Sequence, residues 1–220
     1  MRLAIFDFDG TLYKEETFNL FMDHMKNHPQ YGERYKKFYA SILFPYFSYK
    51  AKLYPEGKMK ENLMKKYLNA LEGLSEEEIR AFFDEVAIDM KHAFHTEVVE
   101  RLEKHAANGD YTMIVSGAFT PVLETAVAHL PVDHIIGTDV PFKNDTFKRN
   151  STIYHIQSLR KKVVVHDHFR GQTIDWENSY AYGDSYSDLT VLELVGNPIA
   201  VNPKVKLREV AVRNNWEIID

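Results

Sequence analysis

A short apolar run, Leu3 to Phe6, leads directly into Asp7-Phe8-Asp9-Gly10-Thr11-Leu12, and this junction constrains the fold more than any other stretch of the chain. An uninterrupted apolar run bounded by a Gly-containing loop reads as a buried strand. Alternate residues of a strand share a face, so Asp7 and Asp9 near its carboxyl end would crowd like charge into one small volume. A cation or a shared proton makes such crowding tolerable. An ordinary acidic turn would carry the same letters, because Asp-Gly is a common turn dipeptide.

From Leu12 to about residue 108 the pattern is helical. Phe18, Leu20, Phe21 and Met25 suggest one amphipathic helix that ends by Pro29. The segment Tyr31 to Tyr54 is aromatic-rich and interrupted at Pro45, which predicts a broken pair of helices. Leu63, Met64, Tyr67, Leu68 and Leu71 recur at helical spacing, and Ser75 with Glu78 forms a capping box ahead of Ile79, Phe82, Phe83, Val86 and Met90. His95 to Ala107 predicts one more helix.

Strands and helices then alternate. Tyr111 to Val115 predicts a strand running into Ser116-Gly117, with Thr120 as the N-cap and Pro121 in the first turn of the next helix. His134 to Ile136, Ser179 to Tyr182, Pro198 to Val201 and Glu217 to Ile219 predict further strands. Val140 to Arg149 predicts a hairpin around Asn144-Asp145, and Asn202-Pro203 opens another helix. This order predicts an α/β fold, a Rossmann-like, mainly parallel sheet with helices on both faces. A helical bundle, residues 14–91, is inserted into a core domain made of residues 1–13 and 92–220. In such sheets ligands gather beyond the carboxyl ends of the strands. Asp7 and Asp9, Ser116, and Asp184 with Asp188 all fall at that edge, whereas random acidic turns would populate both edges.

At 220 residues and 45% hydrophobic content, the chain has enough apolar surface for a sizeable core. A net charge of −5 gives no basic footprint for duplex nucleic acid, and no apolar run reaches membrane-span length. With no cysteine and no basic-then-apolar N-terminal pattern, a cytoplasmic location is expected.

Taken in order, Asp7-Phe8-Asp9-Gly10-Thr11-Leu12, Val115-Ser116-Gly117-Ala118-Phe119, Lys161 or Lys162, and Gly183-Asp184-Ser185-Tyr186-Ser187-Asp188 resemble the motif set of the haloacid dehalogenase superfamily of phosphatases. The helical block after the first motif is similar to the cap of its phosphoserine-phosphatase-like branch. The resemblance implies Asp7 as the nucleophile that forms an aspartyl-phosphate and Asp9 as acid and then base. It implies Mg²⁺ held by Asp7, the backbone carbonyl of Asp9, and Asp184, with Asp188 orienting the metal's water or the lysine. Ser116, the Gly117 N–H and Thr11 would contact phosphate. Counting back from Ser179 favours Lys161 over Lys162 as the cation beside the phosphoryl group, although the following Val163-Val164-Val165 run is strand-like. His166-Asp167-His168 reads as a solvated helix face.

For substrate, the resemblance puts Glu16 where an acidic residue meets the substrate amine. The arginine that binds the substrate carboxylate has only Lys65, Lys66 or Tyr67 as counterparts here. A small phosphorylated amine, sugar or lipid is the implied partner. The aromatic run Tyr35, Phe38, Tyr39, Phe44, Tyr46, Phe47, Tyr49 is expected to form bundle core, with an apolar pocket or a lipid-touching patch as alternatives. A regulatory domain that binds Mg²⁺ and phosphate without turnover is the competing class. The complete acidic set, and Asp9 in particular, favours the enzyme.

Overall fold

A computed structural model describes residues 1–220 other than Lys52, Tyr54 and Lys91; the side chains of Tyr46 and Glu56 also lie outside the described residues. In chain order the first elements are β1 (Leu3–Phe6), α1 (Thr17–Asn27), α2 (Gly32–Lys50), α3 (Glu56–Ala70), α4 (Glu76–Met90), α5 (Thr96–Ala107) and β2 (Tyr111–Phe119). There follow α6 (Thr120–Ala126), β3 (His134–Thr138), β4 (Phe142–Lys143), β5 (Thr146–Phe147), α7 (Leu159–His168) and β6 (Tyr180–Gly183). The chain closes with α8 (Leu189–Leu192), β7 (Asn197–Val201), α9 (Val205–Arg213) and β8 (Glu217–Ile219).

The sheet runs β3-β2-β1-β6-β7-β8 with every pairing parallel, so β1 lies between β2 and β6. A parallel strand covered on both faces needs apolar residues at every position, and all four residues of β1 are buried. Leu3, Ile5, Met113 and Val115 point to the face packed by Val165 of α7, Leu192 of α8 and Leu207 of α9. Phe6, Ile114 and Tyr182 point to the other face, against Val98 and Leu102 of α5 and Val122 of α6. That second core continues without a break into α1–α4. Phe119 lies 5.3 Å from Phe83 and 5.6 Å from Phe21, ring centre to ring centre. No described helix is long and apolar enough to cross a membrane.

Alternation of strand and helix is as expected, including the β4–β5 hairpin turning at Asn144 and Asp145, both at positive φ. Ser75 and Glu78 form the predicted capping box, with Ser75 N–H donating to Glu78 Oε2 at 2.7 Å and Glu78 N–H to Ser75 Oγ at 3.1 Å. Six details differ. Tyr31 to Tyr54 does not break at Pro45: α2 runs through it as one helix. A proline there removes the N–H that would serve the Ser41 carbonyl. Lys66 Nζ of α3 takes that carbonyl at 2.9 Å, so the helix continues with its acceptor satisfied. The aromatic run is not mainly core either. Phe38 is buried, but Tyr39, Phe44 and Phe47 are exposed, and the side chain of Tyr46 is outside the described residues.

Val163-Val164-Val165 is helical, because burying Lys161 and Val165 one turn apart overrides the β preference of valine. Phe119, not Thr120, is the N-cap of α6, and the Thr120 hydroxyl donates to Asp139 at 2.7 Å. Finally, α9 begins at Val205, after Asn202-Pro203. His166 and Asp167 are exposed as expected, but His168 stacks on His134 with 4.0 Å between ring centres.

Candidate active site

Because β1 is central, the loops beyond its carboxyl end and those of its neighbours converge. Asp7 leaves β1 with its N–H on Tyr182 O at 2.9 Å, and Asp184 leaves β6 one residue after Gly183. Asp188 stands at the N-terminal boundary of the short α8. Carboxylate oxygens of Asp7, Asp184 and Asp188 lie within 4.8 Å of one another, and all three residues are buried. Gly10, at φ +77°, closes the loop after Asp7 where a Cβ would stand 2.5 Å from Asp184 Oδ2. Only glycine lets this carboxylate come so near the Asp7–Asp9 turn.

Lys161 of α7 reaches into the cluster, its Nζ 2.5 Å from Asp7 Oδ1 and 2.6 Å from Asp188 Oδ1, and is 4% exposed. Lys162 is half-buried one residue further round the helix and makes neither contact. Of the two, Lys161 is therefore the one that reaches the acidic cluster, since neighbouring helical residues point about 100° apart. A second cation bridges the loops: Lys204 Nζ lies 2.8 Å from Asp184 Oδ2 and 2.9 Å from Glu16 Oε1.

Burial dominates the electrostatics. It raises the Asp7 carboxyl well above its ordinary range, reinforced by Asp188 and Asp184 and opposed by Lys161. Asp184 is raised by burial and by Asp188, against Lys204. For Asp188 burial would also raise the pKa, but Lys161 and the Ser185 hydrogen bonds outweigh it and leave the group lowered. Lys161 stays protonated because Asp188 and Asp7 overcome its own desolvation. Three buried carboxylates facing two lysines leave uncompensated negative charge, and the oxygen-only donor set suits a hard divalent cation.

Asp9 is held apart from this cluster. Its Oδ1 accepts the Thr17 N–H at 3.0 Å and the Thr17 hydroxyl, at the first turn of α1. Burial pushes its pKa up to about 6 despite both bonds from Thr17. Ser116 is buried within β2, its Oγ accepting the Ala118 N–H at 3.1 Å. The Gly117 carbonyl accepts from Thr138 Oγ1 at 2.8 Å, and a Cβ on Gly117 would stand 2.8 Å from His155 Nε2. Thr11 is fully buried and its hydroxyl has no hydrogen-bond partner among the described residues.

Three residues here were missed in the sequence. Lys204 was legible in principle, since it follows β7, whose carboxyl end lies on the same sheet edge. Thr17, at the start of the first predicted helix, is the natural donor for a carboxylate placed just ahead of it. His155 carried no signal. It is buried beside Gly117, and burial together with Lys60, Lys161 and Arg160 pushes its pKa down to about 4. The counterparts weighed for a carboxylate-binding arginine are mostly engaged elsewhere. Tyr67 is core and donates its hydroxyl to Phe21 O at 2.8 Å, and Lys66 holds Ser41 O.

A parallel α/β core with this acidic edge, entered by a lysine and interrupted after its first strand by helices, defines a class of hydrolase. The profile of the haloacid dehalogenase-like hydrolases matches residues 4–193, and the chain belongs to that family. A histidinol-phosphatase of Neisseria meningitidis serogroup C is 27% identical, the alignment covering 99% of this chain and 98% of that one. Against other curated relatives the chain spans only 39% to 57% of their length. In fold it is similar to a Bordetella pertussis protein of unknown function, with a TM-score of 0.82, 24% identity, and 100% and 98% of the two chains covered. A phosphoserine phosphatase solved as a phospho-aspartyl intermediate analogue superposes with a TM-score of 0.62 at 19% identity, over 99% of this chain and 92% of that one.

Proposed function

We propose that the chain is a Mg²⁺-dependent phosphatase of small phosphorylated metabolites that works through an aspartyl-phosphate on Asp7. The observation that carries this reading is the Lys161 ammonium fixed between Asp7 and Asp188, with Asp184 within 4.8 Å. Lys161 opposes the burial that raises the Asp7 carboxyl, favouring its ionised form, and presents positive charge where equatorial phosphoryl oxygens would lie. An Asp7 oxygen attacks phosphorus as the bond to the leaving oxygen breaks, and Asp9 gives its proton to that oxygen. The Asp9 carboxylate then takes a proton from water, whose oxygen displaces Asp7 and releases phosphate. A carboxyl near 6 can both give and accept a proton around neutrality. Asp7, Asp184 and the Asp9 carbonyl would hold Mg²⁺, which when bound offsets phosphoryl charge. Asp188 positions Lys161, while Ser116 Oγ, the Gly117 N–H and the unpartnered Thr11 hydroxyl serve phosphoryl oxygens.

Helices α1–α4, residues 14–91, act as the cap that selects substrate. With Tyr67 and Lys66 engaged elsewhere, Lys65 is what remains of the three counterparts, and a lysine lacks the forked donors with which an arginine holds a carboxylate. Glu16 receives an amine once Lys204 gives up one of its two carboxylates. These features favour an amine-bearing phosphomonoester without a carboxylate, the kind of compound named for the histidinol-phosphatase relative, over phosphoserine.

Screening amine, sugar and lipid phosphomonoesters with and without Mg²⁺, beside Asp7→Asn, tests the proposal. Turnover should need Mg²⁺ and fall by at least about a thousandfold in the variant. Activity that survives in Asp7→Asn would remove the nucleophile; wild-type inactivity on all classes, with phosphate and Mg²⁺ still bound, would favour the regulatory domain.

A further inference from the structure

Helix α2 is apolar on two sides, and the bundle covers one. Phe38 and Ile42 are buried against it. On the adjoining side Tyr39, Leu43 and Phe47 recur one turn apart, with Phe44 pointing away from Ile42 and Leu53 just past the helix end. Phe44 is 82%, Leu53 80% and Phe47 65% exposed. A solvent-facing row of large apolar side chains on a single helix is uncommon for a surface that meets only water.

Charge supplies an independent observation. Residues 34–66 contain nine Lys or Arg against two Glu, a net +7 in a chain whose total is −5, so the remainder carries −12. Lys36, Lys37 and Lys50 flank the apolar row at both ends, and Lys58 is exposed on α3. Aromatic and leucine side chains framed by lysines are the composition of helices that lie in a bilayer interface, rings at headgroup depth and ammonium groups on lipid phosphates.

We propose that the outer face of α2, with the turn after it, docks on the surface of a membrane carrying anionic lipid. An acidic body behind a basic, apolar face orients the protein as it approaches. The contact is peripheral and reversible, and salt weakens it.

Co-sedimentation tests this with the intact chain and two vesicle types, phosphatidylcholine alone and phosphatidylcholine with phosphatidylglycerol. The expected result is binding at least about tenfold tighter to the anionic vesicles, lost as NaCl rises from about 50 to 500 mM. A Phe44→Asp/Leu53→Asp variant should lose at least about tenfold of that binding while its melting temperature stays the same; Lys37→Glu/Lys58→Glu should lose less. Three results would each overturn the proposal: no pelleting of wild type at low salt, equal pelleting of the aspartate variant, or a wild-type dimer in sedimentation equilibrium that the same substitutions dissociate. None depends on phosphatase activity, so this inference and the proposed function fail separately.

Discussion

Two seams join the helical insertion to the sheet, and they are built from different materials. At the first, α4 lies on α6 through Phe83 and Phe119, both fully buried, and the hairpin adds Glu76 N–H on Asp145 O at 2.9 Å. At the second, the start of α3 meets the first turn of α7 and the segment before it through polar contacts. Gln157 Nε2 donates to Gly57 O at 2.9 Å, and Arg160 Nη1 to Glu61 Oε2 at 2.8 Å with both side chains more than a third exposed. Apolar burial is worth several kcal/mol per aromatic side chain, whereas exposed ion pairs are worth about 0–1 kcal/mol. The polar seam is therefore the one that parts first, and it lies one residue from Lys161.

Phe119→Ala attacks the strong seam and should cost about 3–5 kcal/mol in urea unfolding. A loss below about 1 kcal/mol would mean the insertion does not share the sheet's core. The site between the seams is where pH and metal are expected to act. Asp9 is raised to about 6, and Asp7 and Asp184 are raised as well. A raised carboxyl contributes stability that is fully present below its unfolded value near 3.8 and is lost as pH rises through the folded value. The melting temperature of Mg²⁺-free protein should thus fall between about pH 4 and pH 6, Asp9 alone accounting for about 3 kcal/mol. Asp188, lowered, acts in the opposite sense and loses its contribution only below that window. Saturating Mg²⁺ should flatten the decline; a metal-free melting curve independent of pH would contradict the burial of these groups.

Smaller again, Ser75→Ala removes the cap of α4 and should cost about 1 kcal/mol in the same unfolding assay. Arg160→Ala cuts the weak seam and should change stability by less than about 1 kcal/mol. Hydrogen exchange should nevertheless quicken in the first turn of α3 and not in α4. Equal quickening in both helices would erase the distinction between the seams.

The alternation of strands and helices and the acidic edge were legible because both follow from local rules: apolar runs separated by helices make parallel strands, and loops at one edge collect the polar residues. Asp7, Asp184 and Asp188 meet as their positions after β1 and β6 implied. Lys161 could be narrowed but not fixed, since only burial distinguishes it from Lys162. What stayed hidden depends on partners distant in sequence. Pro45 reads as a break until Lys66 is seen on the Ser41 carbonyl. Glu16 reads as free until Lys204 arrives from the other end of the chain. The aromatic letters of α2 say nothing about which side of the helix is left uncovered.

The unbroken apolar mass that runs from Phe6 through Phe119 into Phe21 and Phe83 has a further consequence. The insertion is not a cassette: excised, it would bare Phe119 and the apolar residues around it, and grafted onto another scaffold it would arrive with an open wound. A route to new chemistry in this architecture therefore runs through single residues on the parting edge rather than through exchange of the whole helical module.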